Sequence, residues 1–192
     1  MIRIDVRGVD SVMQNLRRLQ SDLRGKALSA ALNKVGAKAK TEMTRAITSE
    51  FAIKQADVRP RLSLSRANKS HLVVVLDPYA SRRRGRSLNL IHFIERKISL
   101  AELRRRRRSG STQIQFQIKR GGGRKQIPGA FVGNQGRTVF RRTGKARLPI
   151  DAVSTIDVPQ MFNTRRIARR VLARIDRELG VEVRRAVEML LK

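Results

Sequence analysis

Gln113-Ile114-Gln115-Phe116-Gln117-Ile118 alternates without a break, placing Ile114, Phe116 and Ile118 on one side and three glutamines on the other. A period of two predicts a strand with one buried face. Other short strands lie on either side of this hexamer and helical spacing returns further out, and that order decides the fold class. Upstream, His71 to Leu76 (HLVVVL) is a β-branched run closed by Asp77-Pro78, a buried strand followed by a turn. Asn89 to Ile94 is a short apolar stretch. Downstream, Gly121 to Gly123 reads as a flexible hinge, and Ile127 to Val132 and Thr138 to Arg142 as two short strands. Leu148 to Val158 is mixed and extended near its prolines.

Further out, the period lengthens. Ile2, Ile4 and Val6 alternate as a short N-terminal strand ended by Gly8. From Asp10, a suitable N-cap, Val12, Met13, Leu16, Leu19 and Leu23 recur at helical spacing, and Gly25 is expected to break or bend that helix. A second helix carries Leu28, Ala31, Leu32, Val35, Ala39, Met43 and Ile47 on one stripe. Residues 49–66 show no clear period; Ala56 to Arg59 reads as a helical turn stopped by Pro60. At the other end, Ile167, Val171, Leu172, Ile175, Leu179, Val183, Val187 and Leu190 predict one helix from about Asn163 to Leu191, with arginines on its other faces. Gly180 weakens it by about 1 kcal/mol relative to alanine, yet the stripe stays in phase through it. Helices, then strands, then a helix predict an α+β fold, with helices packed on a mostly antiparallel sheet. A chain of 192 residues fits one domain.

Charge sets the class of partner. The chain holds 44 Lys and Arg against 15 Asp and Glu, a formal net charge of +29. Between Ser81 and Arg147 there are twenty basic residues and two acids, Glu95 and Glu102. Like charges repel within a Debye length of ~10 Å at 0.1 M salt, so a dense polyanion is the expected counterpart. Duplex DNA is such a polyanion, with about one phosphate charge per 1.7 Å of axis. The basic middle, about residues 81–125, reads as a loop-rich insertion into a single domain. Five consecutive arginines, Arg104, Arg105, Arg106, Arg107 and Arg108, cannot share one face of a helix or strand and predict a loop tip or projection. With them, Arg82, Arg83, Arg84, Arg86, Lys119, Arg120, Arg124 and Lys125 are the candidate contacts to nucleic acid or another polyanion.

Other function classes find little support. The absence of cysteine excludes disulfides, cysteine-based zinc fingers and thiol nucleophiles, and points to a reducing compartment. No run approaches the ~20 apolar residues of a membrane span, and the N-terminus lacks the apolar core of a signal peptide. The two histidines, His71 and His92, do not make a metal site; His92 and Glu95 are spaced to meet on a helix, but a site needs three or four ligands. No GxSxG, HExxH or GxxxxGK[ST] motif occurs. Neither an enzyme nor a cofactor is expected. With six Phe, one Tyr and no Trp, base stacking is poorly supplied, leaving sequence-independent phosphate contacts by arginine and lysine.

The arginine run, the basic Gly121–Lys125 stretch, Ile127-Pro128-Gly129-Ala130-Phe131 with Val132, and Leu148-Pro149-Ile150-Asp151 follow one another in an order that resembles the minor tail protein Z family of tailed bacteriophages and prophages. Ile127 to Phe131 reads as a core strand with a bulge or edge at Pro128-Gly129, and Leu148 to Asp151 as a turn, with Asp151 placed to pair an arginine or cap a backbone amine. The resemblance implies a tail-completion protein added at the head-proximal end of the virion tail after assembly in the host cytoplasm. It implies a six-fold ring, tail terminator and head–tail connector proteins as partners, and phage DNA passing through or held at the ring. Two rivals from other classes are a monomeric, sequence-independent nucleic-acid binder and a structural adaptor whose arginines meet acids on neighbouring rings.

Overall fold

The computed structural model describes residues 1–4, 21–78, 87–94, 101, 102, 105, 108 and 114–190. In chain order its elements are β1 (Ile2–Ile4), α1 (Ser21–Glu50), α2 (Gln55–Val58) running into a 3-10 turn at Arg59–Arg61, β2 (Ser63–Ser65), β3 (Val74–Asp77) and β4 (Leu88–Asn89), followed by a 3-10 turn at Leu90–Phe93. Then come β5 (Gln115–Phe116), β6 (Lys125–Gln126), β7 (Ala130–Gly133), β8 (Thr138–Arg142), β9 (Ile150–Ala152), β10 (Ser154–Thr155), α3 (Val158–Phe162) and α4 (Arg165–Leu190). The fold is α+β as expected. Among the described residues the strands form four small antiparallel ladders: β1-β3-β2, β10-β4, β5-β6 and β7-β8-β9.

The stripe predicted along α1 is the spine of the core. Leu28, Ala31, Leu32, Val35, Ala39, Met43 and Ile47 are all buried. One side of the helix lies on β1-β3-β2, where Ile2 and Ile4 stand opposite Leu76 and Val74, and Leu64 stands opposite Leu76. Gly25 does not break the helix, which runs unbroken from Ser21 to Glu50. A Cβ there would lie 2.9 Å from the Lys69 carbonyl oxygen, and one at Gly36 would lie 2.6 Å from a Val74 methyl. These two glycines are sites of close approach. Asn33 fastens the same loop, donating to the Ala67 carbonyl and accepting from its amide at 3.0 and 2.9 Å.

Pro60 does not stop the chain's helical run. It sits at the start of the 3-10 turn, where a missing N–H is tolerated, so the turn continues past it to Arg61. The alternation of residues 114–118 holds, with Ile114 and Phe116 buried and Ile118 packed beside them, but the ladder covers only Gln115–Phe116. These side chains join Leu90, Ala130 and Val139 in a second core. Asn89 ties that core to the first region, accepting from the Val139 and Ile91 amides and donating to the Val139 carbonyl. α3 opens with a reciprocal cap: Asp157 accepts from the Gln160 amide at 2.8 Å, and the Gln160 side chain accepts from the Asp157 amide at 3.2 Å. α4 follows as one helix through Gly180. Its stripe is buried at Ile167, Val171, Ile175, Val183 and Val187, whereas Leu172, expected on the stripe, is 46% exposed.

Candidate functional site

α1 and α4 pack antiparallel, and charge registers them. Lys34 reaches Glu182 at 4.0 Å, Lys38 reaches Glu182 at 2.6 Å and Glu178 at 2.7 Å, and Arg170 reaches Glu42 at 2.7 Å. The partner numbers fall along α4 as they rise along α1. Glu182 is buried, and the hydrogen bond from Lys38 holds its carboxyl below the usual range despite desolvation. The same donor lowers Glu178, and its bonds to the two carboxylates raise Lys38. These acids are therefore committed to holding the helices together.

The seam opens at its far end into a cleft of about 450 Å³, lined by Ala46, Ser49, Glu50, Lys119, Gly121, Gly122, Arg166, Ile167 and Arg170. Its outer wall is the turn after β5. That turn is fixed to the C-terminus of α1: the Arg120 amide donates to the Glu50 carbonyl at 2.9 Å, Arg120 Nε donates to the Thr48 carbonyl at 2.8 Å, and the Ala52 amide donates to the Ile118 carbonyl. Gln117 closes it by donating to the Arg120 and Gly122 carbonyls. Two consequences follow. Gly121 and Gly122 belong to a docked turn and are not a free hinge. The negative end of α1 is capped by Arg120, while Lys119 and Arg166 face the cleft with no carboxylate partner among the described residues.

α4 contributes a basic face whose arginines are not among the candidate contacts read from the sequence. Arg170, Arg174 and Arg185 each meet a carboxylate. Arg165, Arg166, Arg169, Arg177 and Arg184 are exposed and meet none among the described residues. At roughly 100° per residue these five fall within an arc of about 120°. Sorting the arginines by whether an acid stands three or four residues away would have flagged most of them, because Arg174–Glu178 and Arg185–Glu182 are such pairs.

The predicted contacts are placed unevenly. Lys119 lines the cleft with Arg166 and Arg170, whereas the Arg120 side chain turns to the Thr48 carbonyl at the end of α1. Arg124 and Lys125 are exposed at the β5-β6 ladder, and Arg105 and Arg108 are exposed with helical backbone. Arg82, Arg83, Arg84, Arg86, Arg104, Arg106 and Arg107 lie outside the described residues. Of the motif residues, Ala130 is buried, Ile127 and Phe131 are half-buried, and Pro128-Gly129 forms a turn with Gly129 at φ +72°, ahead of β7 rather than a bulge within it. Leu148 and Pro149 are exposed, and Ile150 starts β9. Asp151 stands across from Arg141 in register but makes no ion pair or cap among the described residues. His92 meets Asp57 at 3.2 Å; Glu95 lies outside the described residues. Four of the six phenylalanines are buried in the core, and the half-buried Phe131 and Phe140 pack against each other at 6.0 Å, with the Arg142 guanidinium over the Phe131 ring. Among the described residues no group of three or more His, Asp or Glu is arranged to hold a metal.

The family model for prophage minor tail protein Z matches residues 6–192. The chain belongs to the prophage minor tail protein Z family. No curated protein and no solved structure matches it. As a minor tail protein Z it is a structural component of a phage tail, located in the virion and in contact with other virion proteins. The family match runs through α1, the docked turn and α4, so the basic cleft of this minor tail protein is built from segments inside the matched region. No helix among its described residues is long and apolar enough to cross a membrane.

Proposed function

We propose that this minor tail protein Z completes the tail at its head-proximal end. It forms a ring, in six copies as the family resemblance implies, that meets the tail terminator and head–tail connector, and it holds or passes the genome end through phosphate contacts. The observation that carries this reading is the surface charge left over after the internal pairs are made. Glu42, Glu178 and Glu182 are consumed in the helix seam, while Lys119, Arg165, Arg166, Arg169, Arg177 and Arg184 meet no carboxylate among the described residues. A surface of that kind, without aromatic platforms, suits a partner whose charge is dense and whose sequence is not read.

Replacing Arg104 to Arg108 by alanine tests the reading in tails. The variant should fold as the wild type and give tails that join heads or deliver DNA poorly; normal joining and delivery would remove that segment from the function. Light scattering of the pure protein with a tail-end partner separates a ring from a monomeric binder. A gel-shift titration separates DNA from an acidic protein surface, with no shift at 50 mM salt favouring the structural adaptor.

A further inference from the structure

We infer that the outer face of α4, together with Lys119 across the cleft, is a binding track for the phosphate backbone of duplex DNA. This deepens the proposed function, on which it rests, by assigning the contact to a second surface outside the mid-chain arginine segment. Arg165, Arg166, Arg169, Arg177 and Arg184 cover a length of roughly 29 Å at 1.5 Å per residue, about eight or nine base pairs of duplex. Down the middle of this arc run Ala173 and Gly180, both exposed, and a Cβ at Gly180 would meet nothing within 4 Å. Small residues flanked by long cations let a rod-like polyanion lie close to the helix while guanidinium groups reach phosphates on either side. Asp176 and Glu188 lie on or beside the arc and reduce its charge without cancelling it.

A second feature points the same way. α4 begins with Arg165 and Arg166 and has no acid in its first turn. The N-terminus of a helix carries the positive end of its dipole, so two cations there are the unfavourable arrangement for an isolated helix. A phosphate at that end would relieve the repulsion and take donors from the helix terminus, both arginines and Lys119. The arc is also a poor protein-docking surface. It has no aromatic or large apolar anchor at its centre of the kind that fills protein interfaces, and the exposed Leu172 and Val181 only flank it, one on each side.

The test uses the full-length protein and a labelled 30-base-pair duplex of arbitrary sequence, with affinity measured by fluorescence anisotropy across a range of salt. One variant carries Arg→Gln at 165, 166, 169, 177 and 184, and a second carries Arg→Gln at 104–108. Circular dichroism and thermal melting establish that each folds. The α4 variant should bind at least ~100-fold more weakly than wild type at 100 mM salt. Its slope of log K against log salt should be shallower by about three or more, since each phosphate contact contributes about 0.9. On the wild-type protein, bound duplex should protect the α4 arginines from phenylglyoxal, a readout that needs no variant. Wild-type affinity and slope in the α4 variant, with those arginines unprotected, would overturn the track and leave the proposed function standing if the 104–108 variant weakens. Failure of the wild type to bind duplex even at 50 mM salt would overturn both.

Discussion

Lys38 shows how one residue commits charge to structure in so basic a chain. It stands between Glu178 and Glu182 at 2.7 and 2.6 Å, on the helix opposite both. Both carboxyls are held below their ordinary value of 4.5, and the ammonium is held above 10.5. Folded carboxylates with lowered values stabilise the native state fully above about pH 4.5, and the effect fades as pH falls through the folded-state values. The raised lysine contributes fully below 10.5 and fades as pH rises past it. Lys38→Met should therefore destabilise the protein throughout the neutral range. The gap between variant and wild type in urea melts should narrow below pH 4.5, because protonation removes the wild type's advantage. A gap that stays constant from pH 7 to pH 3 would mean the cluster does not contribute. The numbering alone could not reveal this site, since Lys38 and Glu182 are 144 residues apart.

At the scale of elements, the helix glycines separate propensity from packing. Gly180 sits in α4 with open space around its missing side chain, and Gly36 sits in α1 against Val74 and Leu64. Gly180→Ala should raise stability by about 0.5–1 kcal/mol, the usual gain for a helix interior. Gly36→Ala should lower it by about 1–3 kcal/mol, because the new methyl would overlap a β-branched side chain in a close-packed core. Urea denaturation measures both, and equal signs would refute the packing argument. Helical spacing made α1 legible because a helix on a core must be apolar along one stripe. It misjudged Gly25 because a glycine breaks a helix only where tertiary structure does not need the room. Leu172 shows the opposite error: a residue in phase with the stripe is exposed because the buried face drifts around α4 as it crosses its neighbours.

At the scale of the whole molecule, the net charge of +29 is a standing cost to the folded state. Screening should relieve it, so the melting temperature of the isolated protein should rise between 20 and 200 mM sodium chloride. A polyanion that binds the native state should raise it further at low salt, by mass action. A melting temperature that falls with salt would show that the internal ion pairs outweigh the surface repulsion. Composition made this balance legible, and the order of periods made the fold class legible. The strand hexamer at residues 113–118 and the stripes of α1 and α4 were readable because burial of one face leaves a periodic trace in a single segment. The family, too, was visible in ordered local motifs. The cleft was not, because its cations come from a turn at Lys119–Gly122 and a helix start at Arg166, segments that mean nothing to each other until α1 lies between them. Which arginines are paired and which are left facing solvent was likewise decided by the antiparallel register of two helices, since a charge is neutralised by its neighbour in space and not by its neighbour in the chain.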